Sequence, residues 1–180
     1  MANKRKWPWR QLLGEHPVVG WRHHIGLIVM AVSCLIIDLF TKELALARLS
    51  DGRIHSWLDG WLELKLVFNP GAAFSMGPGL TVFFSSLAVL ALIFLTVVVA
   101  PRAEGWVANL LVGLLIAGVA GNLTDRLLRP PAFFRGHVID FIAVKYFAVF
   151  NFADICLTVS VIVVFVIIFF GSKPSQPAQS

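Results

Sequence analysis

The chain has 180 residues, of which 58% are hydrophobic and only 14% charged, against about 25% charged in a soluble domain; this excludes an ordinary water-soluble fold. The net charge of +5 comes from 15 Lys and Arg against 10 Asp and Glu, but the basic residues are scattered. No basic surface with interleaved aromatics marks a nucleic-acid partner.

Residues 1–24 read as a cytoplasmic lead, with Trp7, Trp9 and Trp21 suited to the headgroup region. Lys4, Arg5, Lys6, Arg10 and Arg22 precede the first apolar run, so the positive-inside rule places the N-terminus in the cytoplasm. About 20 apolar residues cross the hydrocarbon core of a bilayer, and four segments meet that length, over about 25–47, 80–100, 106–126 and 153–170. The first qualifies only if it continues past Ile37 through Asp38 and Thr41, which puts charge in or near the bilayer. "AVSC" at 31–34 loosely imitates a lipoprotein cleavage box, but the apolar run continues past Cys34, so the segment reads as an uncleaved helix. Cys34 and Cys156 both fall inside spans and read as small hydrophobes, without a disulfide or metal framework.

Between the first two spans, Leu62, Leu64, Leu66 and Phe68 alternate with Glu63, Lys65, Val67 and Asn69, the period of two of a strand. The Pro- and Gly-rich turn "NPGAAFSMGPG" ends it. In the third span Gly113, Ala117 and Gly121 recur every four residues, which lets another helix backbone approach closely. The fourth span leads to a tail over 171–180 that reads as disordered and cytoplasmic. The expected fold class is an all-α polytopic membrane protein: one four-helix domain over 25–170, with a small β element and short loops on the outer face.

Charged residues inside spans are rare and face the bundle interior or an aqueous cavity, so each is a functional candidate. Asp38 and Lys42 share one helical face at i and i+4 and can pair. Asn122 stands three and four residues before Asp125 and Arg126, again on one side, and by spacing alone the latter two read as architectural. Asn151 and Asp154 repeat the three-residue spacing at the start of the fourth span, where Asp154 could equally cap the helix. Asp140, in "GHVIDFI", is flanked by apolar residues that suggest a segment folding back against the membrane. Asp140 and Asp154 could therefore meet at one membrane boundary. Two carboxylates at short range in a low-dielectric site share one proton, so one serves as base and the other as acid. The five histidines, at 16, 23, 24, 55 and 137, show no zinc spacing, and His137 reads as a structural loop residue. No metal and no cofactor are expected.

"DLFTK" at 38–42, "FNPGAAFS" at 68–75, "GNLTDR" at 121–126, "GHVIDF" at 136–141 and "FNFAD" at 150–154 together resemble the motifs of bacterial lipoprotein signal peptidases (signal peptidase II), in that family's order. The resemblance implies an intramembrane aspartyl endopeptidase that cleaves prolipoproteins just before a diacylglyceryl-modified cysteine. Its partners are then its lipidated substrates and membrane lipids in the bacterial cytoplasmic membrane; a monomer is expected, and the basic N-terminal cluster with four spans puts both termini in the cytoplasm and the site near the outer face. The resemblance makes Asp140 and Asp154 the catalytic pair. It makes Asn69, Asn122, Asp125, Arg126, Asn151, Asp38 and Lys42 substrate-binding or supporting residues. Residues 127–135, "LLRPPAFFR", lengthen one loop relative to the family pattern. The alternative from another class is a small proton-coupled transporter, which requires its carboxylates to be spread through membrane depth.

Overall fold

In a computed structural model, residues 24–71 and 80–170 are described. The N-terminal lead, most of the "NPGAAFSMGPG" turn and the 171–180 tail lie outside them. Four helices are long and apolar enough to cross a membrane: α1 (Ile25–Leu49), α2 (Thr81–Ile93), α3 (Gly105–Leu128) and α4 (Phe152–Phe170). α2 reaches this length by running on through a wide π turn, Phe94–Val99, and a short 3-10 turn, Ala100–Arg102. The expected fold class is the one observed: a multi-pass helical membrane protein with a small sheet.

α3 is the axis of the bundle, because its small residues leave no room between it and its neighbours. A Cβ on Gly113 would stand 2.7 Å from the Leu27 carbonyl oxygen of α1. One on Gly118 would stand 2.7 Å from the Ala153 carbonyl oxygen of α4. Ala117 between them is 2% exposed. Contact between helices in lipid depends on such close backbone approach rather than on a hydrophobic driving force. By contrast α2 leans chiefly on α3 and leaves most of its surface uncovered by the rest of the bundle.

At one end of the bundle lies a three-stranded antiparallel sheet in the order β1-β2-β3, formed by His55–Trp57, Leu62–Asn69 and Val138–Val144. The middle strand is the segment whose alternation is visible in the sequence. Both of its faces are nevertheless half-covered, so the alternation does not separate a wet face from a buried one. Its partner β3 carries no such alternation, since Val138, Ile139 and Asp140 are all buried. A register shift between Leu64 and Val67 brings Val67 opposite Asp140 and Asn69 opposite Val138. Asn69 is thus a diagonal neighbour of Asp140 on one face of the pair.

Candidate active site

The site grows from a cation placed where a bilayer protein can least tolerate one alone. Lys42 is fully buried, and its ammonium pairs with Asp38 at 2.7 Å and with Asp125 at 2.9 Å, both also buried. Arg129 adds a second cation, 2.5 Å from Asp125, and reaches Glu43 at 2.8 Å. Two carboxylates are so matched by two cations, which is what permits any of them to be desolvated.

The two aspartates of this cluster also hold backbone. Asp38 Oδ1 accepts from the Ala153 amide at 2.9 Å, and Asp125 Oδ2 accepts from the Ile139 amide at 3.2 Å. Each of these aspartates therefore grips the residue just before another buried or half-buried aspartate, Asp154 or Asp140. Lys42 also donates to Asn122 Oδ1 at 3.0 Å, whose amide donates to Asp154 Oδ1 at 2.8 Å.

Asp154 is fixed by the start of its own helix. The Asn151 side chain accepts from the Asp154 amide at 3.1 Å, and Asp154 Oδ2 accepts in return from the Asn151 amide at 3.1 Å. This is a reciprocal capping box, and it leaves Asp154 facing the positive end of the α4 dipole. Asp140 receives two amides, Asn69 Nδ2 at 2.8 Å and Asn151 Nδ2 at 2.6 Å. Asn151 donates to Asn122 as well, at 3.1 Å, so two asparagines join the two carboxylates. Burial pushes the Asp140 carboxyl up to about 6, and the negative charge of Asp154 works in the same direction. The Asn69 and Asn151 donors and the Lys42 charge pull it back.

Arg126 completes the wall. Its guanidinium faces the charges of Asp154, Asp140 and Asp125, and one of its terminal nitrogens donates to the Asn122 carbonyl at 3.2 Å. Its Nε is buried and has no hydrogen-bond partner among the described residues. Beside Asp154 a groove of about 260 Å³ opens between Phe147 and Phe150 and the Ile155, Thr158 and Val159 face of α4.

All nine residues singled out in the sequence meet in this one network. Asn69 spends one amide hydrogen on Asp140, and its side-chain oxygen accepts from the Gly71 amide at 3.0 Å. Asp154 takes part in the cap of α4 and, through Asn122, belongs to the same network as Asp140. Two contributors escaped the sequence reading. Arg129 carries a legible signal, since it follows Asp125 by one helical turn. Gly136 does not: its amide donates to the Arg126 carbonyl at 3.0 Å, and a Cβ there would strike the Asp125 carbonyl oxygen. It lets the 127–135 loop fold tightly over the end of α3 and deliver β3 to the site. The same loop is tied to α2 by Ser85, which donates to the Phe134 carbonyl at 2.9 Å.

The arrangement has counterparts in known proteins. The family described as signal peptidase (SPase) II matches residues 30–170. The lipoprotein signal peptidase of Leifsonia xyli subsp. xyli is 44% identical over 135 residues, which are 74% of this chain and 62% of that one; the chain thus spans less than two thirds of that relative's length. The lipoprotein signal peptidase of Rhodococcus jostii is 40% identical over 149 residues, 82% of this chain and 74% of that one. A solved bacterial membrane enzyme, determined by the in meso method, is similar with a TM-score of 0.69 and 27% identity over 85% of this chain and 94% of its own. By the extent of these matches, the chain belongs to the signal peptidase II family.

Proposed function

We propose that the protein is an aspartyl endopeptidase that removes signal peptides from bacterial prolipoproteins, hydrolysing the peptide bond just before the diacylglyceryl-modified cysteine. The observation that carries this reading is the convergence of Asp140 and Asp154, bridged through Asn122 and Asn151 at the sheet end of a membrane bundle. The transporter reading finds no support in this placement, because the buried carboxylates gather at that one end.

Asp154 serves as the base. Both its oxygens accept hydrogen bonds, from the Asn122 side chain and the Asn151 backbone amide, and it stands in the first turn of α4 beside the groove, which is why it is given the base role. It takes a proton from water, whose oxygen attacks the scissile carbonyl. Asp140, held up near 6 by burial, is the protonated partner: it stabilises the developing oxyanion and passes its proton toward the leaving nitrogen. The C–N bond breaks to give a carboxylate and an amine. A lipidated substrate that covers the site excludes water and raises Asp140 further. Arg126 Nε, buried without a partner, is positioned to donate to a substrate carbonyl. Asn122, Asn151 and Asn69 orient the two carboxylates, and Lys42, Asp38 and Asp125 hold the scaffold.

The groove beside Asp154 receives apolar parts of the substrate from the bilayer. The basic N-terminal cluster supports cytoplasmic termini, which puts the site near the outer face of the cytoplasmic membrane. Residues 25–170 act as one domain, as a monomer among membrane lipids. The test is cleavage of a diacylglyceryl-modified prolipoprotein by the protein in liposomes. Release of the signal peptide, unaffected by chelators, is expected; proton flux without cleavage would contradict the reading.

A further inference from the structure

A second groove of about 370 Å³ lies away from the Asp154 groove, between α1 and the sheet. Thr41, Leu44, Ala45, Arg48 and Leu49 line it from α1, at the i, i+3, i+4, i+7 and i+8 spacing of one helical face. Leu64 and Phe141 close the opposite wall, with His55 and Trp57 from β1. Its two ends differ chemically. Arg48 and His55 stand at the sheet end of α1, where His55 stacks on Trp57 with ring centroids 6.2 Å apart. Thr41 lies about 10 Å further into the bundle, two turns of helix at 1.5 Å per residue, and its hydroxyl is already engaged with the carbonyls of Ile37 and Asp38. From the cationic end inward the lining is therefore effectively apolar.

The neighbouring surface is continuous with the lipid-facing side of the helix, where Ile36, Ile37, Phe40 and Leu44 are exposed. The nearby Arg53 is already paired with Asp51 at 3.1 Å. Arg48, by contrast, has no ion-pair partner among the described residues.

We infer that this groove binds one anionic diacyl phospholipid. Its phosphate sits on Arg48 and His55, and one acyl chain runs between Leu44, Leu64 and Phe141. A guanidinium offers a planar pair of donors suited to phosphate oxygens, and an apolar trough beneath it suits a chain rather than a soluble anion. The diacylglyceryl anchor of a substrate is uncharged and would leave Arg48 unused, so a membrane phospholipid is the occupant that the charge favours. Phe141 is the residue next to Asp140, so the bound chain braces the strand that carries that carboxylate. The inference needs a chain in a membrane but not the peptidase reading.

The test is native mass spectrometry of the full-length protein in detergent, titrated separately with dioleoylphosphatidylglycerol, dioleoylphosphatidylcholine and dioleoylglycerol. One retained phosphatidylglycerol is expected, at least about tenfold preferred over the other two. Arg48→Glu, at an exposed position, is expected to abolish that preference, and Leu44→Trp, which fills the trough, to lower retention of phosphatidylglycerol by a similar factor. Asp154→Asn is expected to retain it unchanged, which separates this inference from the catalytic one. Equal retention of dioleoylglycerol would assign the groove to the substrate anchor and overturn the inference. So would Arg48→Glu protein that elutes as folded enzyme and keeps its preference.

Discussion

At the residue scale, everything turns on how one carboxyl of a pair keeps its proton well above the ordinary carboxylate range. Asp140 is buried beside another carboxylate, and two donated amides and the Lys42 charge only partly offset that burial, leaving it near 6. As the proposed acid it must carry its proton, so kcat/KM is expected to fall as pH rises through about 6. Asn69→Ala removes a donor that favours the charged form of Asp140. The sign follows: its pKa rises, and the basic limb of the pH–rate profile moves to higher pH. An unmoved or downward-shifted limb would show that Asp140 is not the group titrating. Arg126→Leu keeps the apolar stem and removes the spare donor; a drop in kcat of about 10²-fold, the scale of one lost oxyanion-type donor, is expected in single-turnover cleavage. This level was the least legible in the sequence. Spacing showed that Asp38 and Lys42 could meet, because one helix fixes their separation. It could not show Asn151 reaching Asp140 or Asn122 reaching Asp154, since those contacts depend on how β3 and two helices converge.

At the scale of elements, the buried ions serve as clamps. Lys42 holds Asp38 and Asp125, and these hold the amides of Ala153 and Ile139, so α4 and β3 are positioned by the same cation. Lys42→Met leaves two buried carboxylates short of a partner and is expected to cost about 3–5 kcal/mol, the usual penalty for breaking a buried pair from one side. Chemical denaturation in mild detergent measures it. Adding Asp38→Asn to that variant should recover part of the loss, because one uncompensated charge is then removed; a further loss would contradict the clamp. Gly136→Ala acts through geometry instead, since its methyl would meet the Asp125 carbonyl oxygen. The four spans and the middle strand were readable from hydrophobic length and alternation. The strand of β3 was not, because buried on both faces it lacks alternation, and β1 is only three residues long.

For the whole molecule, the design is an axial helix packed tightly on two neighbours and loosely on a third. α3 meets α1 and α4 through glycines, while α2 stays largely in lipid. Gly118→Val would drive a side chain into Leu157 and the Ala153 carbonyl of α4, and through them displace Asp154. A loss of activity larger than the loss of thermal stability is expected, read by comparing cleavage rates with melting of the same preparation. The small-residue pattern at 113, 117 and 121 announced close packing in the sequence, but not which helices would pack there, since periodicity carries no partner identity. In the proposed reading, the bundle brings charge to its sheet end already paired, and a single proton is shared by Asp140 and Asp154. The most direct test is a double-mutant cycle on cleavage of a diacylglyceryl-modified prolipoprotein in liposomes. Residues that act as one unit are strongly non-additive, so Asp140→Asn and Asp154→Asn should each lower the rate by about 10²–10⁴-fold, with the double variant no slower than the worse single one. Multiplying losses, or a single variant with near wild-type activity, would contradict the shared-proton pair.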